Sequence, residues 1–440
     1  VLDKNAGGAI AAFRSLLMDE TTDRLNPVLM TGSTVLVDDD LCEIIIPKFK
    51  EWIKEKELDI KIEYVEKEGY NEIRGRGNQW KPRYYTEMIT ELFQEGVTKC
   101  LVGTRGLLGE GWDASRINVL IDLTTVTTSM SINQLRGRSF RLDKKNPEKV
   151  ANNWDIVCLA EEFSKGFDDY HRFKRKHSRL YGVCDDSAIE KGVGHVHAAF
   201  TEVRPEGISE TLDVFNEEMI RRARNRERTR ELWKIGEPFD AEPKEAIEMK
   251  MKDGFSGGWP ILSTSFQRPE WNDESLVLAI ATAVSGALRE TGNLETKPTI
   301  ASGDRGGGWM RAYLEDASEE DSKIFTEAME QVLGPLDNPR YMIPRQVKMI
   351  SDTWVSKLLP EVIGKYFRTK KKRLVMFHSV PKKLAQNKED AAIFQKHWNF
   401  EVSPGEVMYG YSKDGRERVR WAVEQNLSPR GDFHSKSVFT

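Results

Sequence analysis

The chain has 440 residues, which is too long for one ordinary domain and predicts two or three. Hydrophobic residues make up 39% and charged residues 31%, the composition of a globular, soluble protein. The formal net charge is −4, which excludes nucleic-acid binding through overall charge and leaves only local basic patches for that role.

The cysteines and the apolar runs indicate the compartment. The cysteines are scattered and form no C-x-x-C pair, which predicts reduced thiols in a cytoplasmic protein. They are Cys42, Cys100, Cys158 and Cys184. The longest apolar run covers residues 276–288, about 13 residues, and is too short to span a bilayer. It predicts a buried helix, and no membrane partner is expected.

Strands and helices are predicted to alternate along the first part of the chain, as a parallel, doubly wound sheet requires. Residues 1–26 are expected to link this sheet to a preceding lobe, because the amphipathic segment GGAIAAFRSLL is followed by a polar break. The elements predicted next are a strand at 27–37, a helix at 38–58, a strand at 60–69, a loop at 71–83 and a helix at 84–96 that ends at Gly96.

The stretch 99–143 carries the chemistry. It predicts a strand (CLVG), a glycine-rich loop (GTRGLLGEGWD), a second strand (NVLIDL), a hydroxyl-rich cap (TTVTTS) and a helix with QLRGRSFR. Four glycines within nine residues allow backbone N–H groups to approach a ligand. Gln134, Arg138 and Arg141 have helical spacing, so one helix face would present a guanidinium fork to phosphate oxygens. The alternative is a tight strand-to-helix turn beside a solvated helix face.

These motifs resemble the second RecA-like lobe of superfamily 2 helicases and translocases. The last motif of that family, Gln-x-x-Gly-Arg-x-x-Arg, is matched by Gln134, Gly137, Arg138 and Arg141. The preceding motif, Thr…Gly-x-Asp, is matched by Thr104, Gly111 and Asp113. The resemblance covers about residues 25–185. It implies an α/β fold of the P-loop NTPase type, with a parallel sheet at 27–185.

The chain contains no G-x-x-x-x-G-K-[ST] and no D-E-x-[DH] box. The resemblance therefore implies that the chain is the C-terminal half of an ATP-dependent DNA helicase or translocase. ATP and Mg²⁺ would be bound mainly by the N-terminal lobe, which this sequence does not contain. Arg138 and Arg141, with Gln134, would act on the γ-phosphate. Gly111, Asp113 and Gly137 would bind the nucleotide. The 440-residue chain alone is expected to be inactive.

The resemblance also implies contacts with a nucleic-acid backbone. These are expected from Gly32, Ser33, Thr34, Thr104 and Arg105. DNA is favoured over RNA because the glycine-rich loop is closer to restriction-type and repair-type translocases, and a role in genome defence or repair follows from the same likeness. A second hypothesis is a helicase-derived module that binds nucleic acid or a protein partner without turnover.

The segment after this lobe is basic and irregular. A strand is predicted at 152–160, followed by a basic helix with interleaved aromatics, where Lys174 and Arg175 are candidate phosphate contacts. An amphipathic helix with solvated lysines is the plain alternative. Residues 186–254 are predicted to be an irregular segment and a charged helical linker at 209–235. His195 and His197 lack the further ligands of a metal site, so none is predicted.

Residues 255–440 are predicted to form a separate α+β accessory domain of alternating strands and helices, with helices at 273–292, 318–334 and 353–367 among them. Residues 365–440 hold 16 Lys or Arg against 8 Asp or Glu. Lys370, Lys371 and Lys372 form the densest basic cluster and are predicted to lie in a loop that contacts phosphates, or that promotes solubility. A nuclease-like pattern, Asp240 followed by Glu248-x-Lys250, is common by chance and falls on no predicted strand.

Overall fold

The structure, a computed structural model, describes most of the chain. The described residues are 8–108, 112–201, 205–234, 236–238, 242–252, 255–261, 269–295, 297–351 and 369–440. Two compact units divide the chain, residues 1–176 and 177–440. The predicted divisions lay at 185/186 and 254/255, whereas residues 177–254 share a compact unit with 255–440. The fold class is mixed α/β with several sheets.

The first unit combines short strands with helices. Its helices are α1 (Ala9–Leu17), α2 (Glu20–Asp23), α3 (Cys42–Glu55), α4 (Pro82–Glu95), α5 (Arg105–Leu108), α6 (Ser129–Ser139) and α7 (Asp168–His177). Its strands are β1 (Pro27–Met30), β2 (Val35–Val37), β3 (Lys61–Lys67), β4 (Tyr70–Arg76), β5 (Cys100–Gly103), β6 (Val119–Asp122) and β7 (Asn152–Asp155).

Parallel pairing occurs where it was predicted, but not in one continuous sheet. β1 pairs with β5 and β6 pairs with β7, both parallel. The five-stranded sheet has the order β3-β4-β2-β1-β5, and its other three pairs are antiparallel. A parallel sheet throughout was therefore the wrong prediction. Short links decide this difference, because parallel neighbours need a crossover of a dozen or more residues.

Two of those links were misread in the sequence. The single strand predicted at 27–37 is a hairpin, because the chain reverses between Thr31 and Thr34, whose backbone N–H and carbonyl are 2.8 Å apart. The loop predicted at 71–83 begins with β4, which pairs with β3 across a two-residue link that contains Gly69 at φ +75°. Two-residue hairpins require such a left-handed residue.

The helices of this unit cover the sheet with apolar faces. Ile45 and Phe49 of α3 pack with Tyr85, Met88 and Ile89 of α4 in one buried cluster. α4 ends at Gly96 as predicted, with φ +84°. α6 begins after Thr128, the predicted hydroxyl-rich cap, but that side chain makes no capping bond to the backbone. The helix also ends before Arg141, so the predicted single helix face holds Gln134 and Arg138 only.

The second unit contains longer strands and helices. Its helices are α8 (Pro205–Ser209), α9 (Leu212–Arg224), α10 (Arg226–Trp233), α11 (Asp273–Glu290), α12 (Glu319–Leu333), α13 (Lys388–Glu401) and α14 (Lys413–Glu424). Its strands are β8 (Tyr181–Val183), β9 (Ile189–Lys191), β10 (Lys244–Met251), β11 (Ile300–Gly306), β12 (Trp309–Leu314), β13 (Tyr341–Ser351), β14 (Thr369–Ser379), β15 (Met408–Tyr409) and β16 (Gly431–Phe439).

An antiparallel sheet organises this unit, with the order β11-β12-β10-β16-β9-β8. Ile247 and Met249 of β10 join the largest apolar core, with residues of α11, α12 and α13. The buried helix predicted at 276–288 is confirmed, because ten residues of α11 are buried behind an Asn272 capping box. Within the described part of the chain, no helix is both long and apolar enough to cross a membrane.

Several predictions in this unit need correction. β10 lies in the segment predicted to be an irregular linker, and it pairs with both β12 and β16. The long charged helix predicted at 209–235 is broken into parts at Thr211 and Asn225. The basic cluster 370–372 lies on β14, not in a loop. α14 and β16 were not predicted, and the helix expected at 353–367 lies outside the described residues.

Two glycines in the first unit offer a stability test of opposite sign. Gly96→Ala places a Cβ at φ +84° and is expected to lower the free energy of unfolding by about 1 kcal/mol. Gly137→Ala adds a Cβ inside α6 with nothing within 4 Å, and is expected to raise it by about 0.5 kcal/mol. Urea denaturation of both variants measures the two signs, and equal effects would contradict the assigned backbone conformations.

Candidate functional site

Trp112 anchors the end of the glycine-rich loop. Its side chain is buried, its indole Nε1 donates to Thr90 Oγ1 of α4 at 2.8 Å, and it packs with Ala114 and Ile117. Phe93 and Leu108 cover this small cluster from α4 and α5. The backbone of 112–113 is therefore held against α4.

Arg138 and Arg141 both contact residues 112–113, which we call the Trp112–Asp113 strip. Arg138 Nη1 donates to the Trp112 carbonyl at 2.7 Å, and Arg141 forms an ion pair with Asp113. Arg141 does so from beyond the end of α6, because the chain turns at Phe140. Arg138 Nε is buried and has no acceptor among the described residues. The structure thus brings together the arginines and the Asp113 that the sequence assigned to one site.

The carboxyl ends of β5 and β1 form a second part of the site. Met30 pairs with Gly103 in parallel register, so Thr104 and the turn at 32–34 follow at the same sheet edge. Gly32 and Ser33 are exposed, and Tyr85 supports the turn by donating to the Thr31 carbonyl at 2.7 Å. This edge gathers candidate backbone contacts that lie about 70 residues apart in the sequence.

Arg105 connects this edge to α6. Its Nη2 donates to Ser131 Oγ at 3.0 Å, and Thr128 Oγ1 donates to the same oxygen at 2.9 Å. The Thr104 carbonyl accepts the N–H groups of Leu107 and Leu108, which opens α5. Arg105 and Arg138 therefore connect two segments, the β5 edge and residues 112–113, to the same helix, α6.

The remaining predicted residues are more scattered. Gln134 is exposed on α6, and Gly137 faces open space on the same helix. Gly111 lies outside the described residues. On α7, the Lys174 ammonium lies 5.8 Å from the Tyr170 ring centroid and Arg175 is exposed. In the second unit Lys371 and Lys372 are exposed on β14, and Lys370 pairs in register with Ile350.

Three largely buried ion pairs hold α6 and α7 to the β6–β7 pair. Asp122 and Asp155 end these parallel strands in matching register. Lys176 of α7 binds both carboxylates, and Arg136 of α6 donates to Asp155 at 2.7 Å. Lys176 directly follows the candidate phosphate contacts Lys174 and Arg175, but it is only 6% exposed and therefore has a structural role.

The second unit contains a buried ion cluster, defined here as Arg305, Arg311, Glu190, Glu248 and Lys436. Arg305 Nε lies 3.0 Å and Arg311 Nη2 lies 2.6 Å from Glu248 Oε1. Lys436 Nζ lies 2.8 Å from Glu190 Oε1 and 2.9 Å from Glu248 Oε2. The cluster joins five strands, β9 to β12 and β16, so it holds the segment around 190 against the sheet.

The charges of this cluster compensate one another. Burial alone would raise the pKa of Glu248, but Arg311, Lys436 and Arg305 lower it to about 2. The nuclease-like pattern Glu248-x-Lys250 does lie on a strand pair, contrary to expectation. Because Glu248 is bound by three cations, it is not placed to ligate a metal ion. Asp240 lies outside the described residues.

Among the described residues, the other candidate metal ligands do not form a metal-binding site. His195 Nδ1 is 2.6 Å from the Gly192 carbonyl, whereas His197 Nδ1 accepts from Ala199 N and its Nε2 faces Glu218 at 3.3 Å. The two rings therefore belong to different networks. The carboxylates at 38–40 lie within 4.8 Å of one another, but two of the three residues are exposed.

Comparison with known proteins adds no relative. No protein-family model matches the chain, and neither a curated protein nor a solved structure matches it. The candidate site therefore rests on its own geometry.

Sequence reasoning missed the supporting residues of the site. Trp112, Thr90 and Ser131 carry no phosphate-binding pattern of their own, yet they set the positions of Arg138 and Arg105. The adjacency of Trp112 to Asp113 was the one available signal, since a large apolar residue inside a glycine-rich loop indicates a loop that packs down.

The buried ion cluster predicts an acid-sensitive second unit. Because the pKa of Glu248 is about 2 in the folded chain and about 4.3 when unfolded, its contribution is complete above pH 4.5. It is lost as the pH falls from about 4.5 to about 2. Glu248→Gln is expected to cost about 3 to 5 kcal/mol of stability at pH 7. Glu245→Gln on the same strand is the matched control, and equal losses would contradict the cluster's role.

Proposed function

We propose that this chain is the C-terminal half of an ATP-dependent DNA helicase or translocase, with a RecA-like lobe in residues 27–185. In this proposal the lobe supplies arginines to ATP that a second, P-loop-bearing lobe binds. The observation that carries the proposal is the meeting of Arg138 and Arg141 at the Trp112–Asp113 strip, with the buried Arg138 Nε lacking an acceptor.

An arginine pair of this kind suits phosphoryl transfer. A guanidinium offers planar donors that match phosphate oxygens, and it keeps its charge at every physiological pH. Arg138 has an unused N–H group, and Arg141 is held by a single carboxylate. A γ-phosphate arriving from the other lobe would accept from Arg138 once that side chain turns out of its buried position, and would compete with Asp113 for Arg141. Positive charge there stabilises the oxygens of the transferred group.

The other lobe would hold the remaining phosphates and Mg²⁺, because this chain contains no P-loop sequence. Mg²⁺ would neutralise charge that develops between the β- and γ-phosphates. On this chain Gln134, Gly137 and Asp113 would line the nucleotide side, with Gly111 of the glycine-rich loop.

The hydrogen bonds of α6 offer a route that couples ATP binding to nucleic-acid binding. Arg138 touches the 112–113 strip, and Arg105 and Ser131 link the β5 edge to the same helix. Closure of the lobes on ATP would pull on α6 and thus on Thr104 and the turn at 32–34, which we assign to the DNA backbone. Contacts with the backbone make such movement largely independent of sequence.

The second unit would add basic contacts. Lys371 and Lys372 are exposed on β14, the edge strand of the sheet β14-β13-β15, and we call its long antiparallel pair β13–β14 the basic ribbon. Antiparallel strands enter DNA grooves in known recognition modes. Lys174 and Arg175 would contribute from α7 in the first unit.

The arginine assignment predicts a large loss of hydrolysis. In a protein that joins this chain to its P-loop lobe, Arg138→Ala or Arg141→Ala is expected to lower kcat for ATP by about a thousandfold. DNA binding should change little. Lys144→Ala, an exposed cation just beyond the pair, is the matched control. The measurement is DNA-stimulated phosphate release, and near-normal turnover by either variant would refute the assignment.

The same assay separates the second hypothesis, a binding module without turnover. The 440-residue chain alone is expected to release no phosphate from ATP. If the complete natural protein carries no P-loop and acidic box and shows no ATPase activity, the module hypothesis replaces the enzyme.

The basic ribbon predicts a salt-dependent affinity. Lys371→Glu with Lys372→Glu should weaken binding to double-stranded DNA, and should reduce the slope of log Kd against log salt by about one per lost phosphate contact. Lys388→Glu at the start of α13 is the control. Titrations with labelled DNA at several salt concentrations test this, and an unchanged slope would remove the ribbon from the interface.

A further inference from the structure

A cavity of about 590 Å³ opens in the second unit, where β10 ends and β16 begins. This volume lies within the range of small-molecule sites. Its lining includes the cations Lys250, Lys252 and Arg430, with Asp432 as the acid among its lining residues. Neither its position nor its residues belong to the arginine site of the first unit.

The cavity has two kinds of wall. Phe255, Met251 and Met376 provide an apolar side, and Asn426 and Ser428 provide neutral polar groups. Both of these polar side chains already accept a bond, Asn426 from Arg430 at 2.6 Å and Ser428 from the Leu336 N–H at 2.8 Å. The Ser428 hydroxyl hydrogen remains available to a ligand oxygen.

A buried arginine lies directly against the apolar wall. Arg345 is fully buried on β13, its Nη2 donates to the Phe255 carbonyl, and the same nitrogen lies 3.8 Å from Met376 Sδ. Its guanidinium carbon is 5.1 Å from the centre of the Phe255 ring. Both neighbours line the cavity, so the charge of Arg345 is separated from it by one layer of side chains.

Arg345 lacks the compensation that the buried ion cluster has. Its Nε and Nη1 have no hydrogen-bond acceptor in the described part of the chain, and it forms no ion pair there. Burial lowers the pKa of Arg345 to about 10, which leaves it charged at pH 7, and the acid that opposes this shift is Asp273. The neighbouring His378 adds no charge of its own, since burial lowers its pKa to about 3 and keeps it neutral.

An uncompensated buried charge is costly, and its field is weakly screened by apolar surroundings. Natural chains retain such groups where function requires them. Together with Lys250, Lys252 and Arg430, Arg345 makes the cavity attractive to an anion, whereas Asp432 is the one acid among the described lining residues that opposes it. The apolar wall in addition suits a flat aromatic group beside that anion.

We propose that this cavity binds a nucleotide phosphate, with the phosphate at Lys250, Lys252 and Arg430 and the base against Phe255 and Met376. The ligand is either a free mononucleotide or the phosphorylated end of a nucleic-acid strand, which share this chemistry. The proposal goes beyond the ATPase function and does not depend on it, because the residues concerned belong to the second unit alone.

The test is binding by the 440-residue chain, measured by isothermal titration with inorganic phosphate, adenosine 5′-monophosphate and adenosine. A short single-stranded DNA with a 5′-phosphate, and the same strand with a 5′-hydroxyl, distinguish the two sources. The expected order is mononucleotide above phosphate, with adenosine undetected. Tighter binding of the 5′-phosphorylated strand than of the 5′-hydroxyl strand identifies a strand end, and equal binding of the two strands identifies a free nucleotide.

Variants assign the residues. Lys250→Glu with Arg430→Gln should weaken mononucleotide binding roughly tenfold or more, because the charge-assisted hydrogen bonds to the phosphate are lost. Lys413→Glu, an exposed cation on α14, should leave it unchanged. Arg345→Met removes an uncompensated charge, so it should weaken binding several-fold without lowering the melting temperature of the unliganded chain.

Three results would overturn the proposal. These are no binding of phosphate or mononucleotide by the wild-type chain, an equal loss of affinity in the Lys413→Glu control, and mononucleotide binding that Lys250→Glu with Arg430→Gln leaves unchanged. If Arg345→Met fails to fold, the Lys250 and Arg430 variant decides alone.

Discussion

The packing of Trp112 is the constraint on which the candidate ATP site depends. Its indole is buried and hydrogen-bonded to Thr90, so the backbone that follows the glycine-rich loop is held to α4. Because this backbone is fixed, Arg138 can donate to the Trp112 carbonyl and Arg141 can pair with Asp113. A glycine-rich loop without that packing would leave the guanidinium groups without fixed partners, and prearranged donors are what electrostatic catalysis requires.

The second unit shows two opposite treatments of buried charge. In the ion cluster, Glu248 meets three cations, and the balance holds five strands together. At Arg345 no carboxylate is within ion-pair distance in the described residues, and the charge faces an apolar wall. The first arrangement stabilises a fold. The second lowers the stability of the fold unless another group supplies the negative charge. An anionic ligand in the neighbouring cavity would supply it.

Prediction succeeded where a pattern was long and local. α3, α4, α11 and α12 follow from apolar spacing, and Gly96 ends α4 through its own backbone freedom. It failed where a few residues reverse the chain. Gly32 and Ser33 looked like an interruption in one strand, and Gly69 was predicted to end the strand at 60–69, although each sits in a hairpin link. β10 was missed because its charged residues, Glu248 among them, hid a central strand whose charges are paired only across the sheet.

The sequence by itself determined the chemistry of the candidate ATP site. Arg138, Arg141, Asp113 and Thr104 were found as a spaced set, since motif spacing is a property of the chain. The tertiary structure alone decided that Arg141 lies beyond the end of α6 yet still pairs with Asp113. It also decided that Lys176 is buried and pairs with Asp122. It alone also paired Glu248 and left Arg345 unpaired, because the partners of a buried charge come from strands that are distant in sequence, and no local pattern records them.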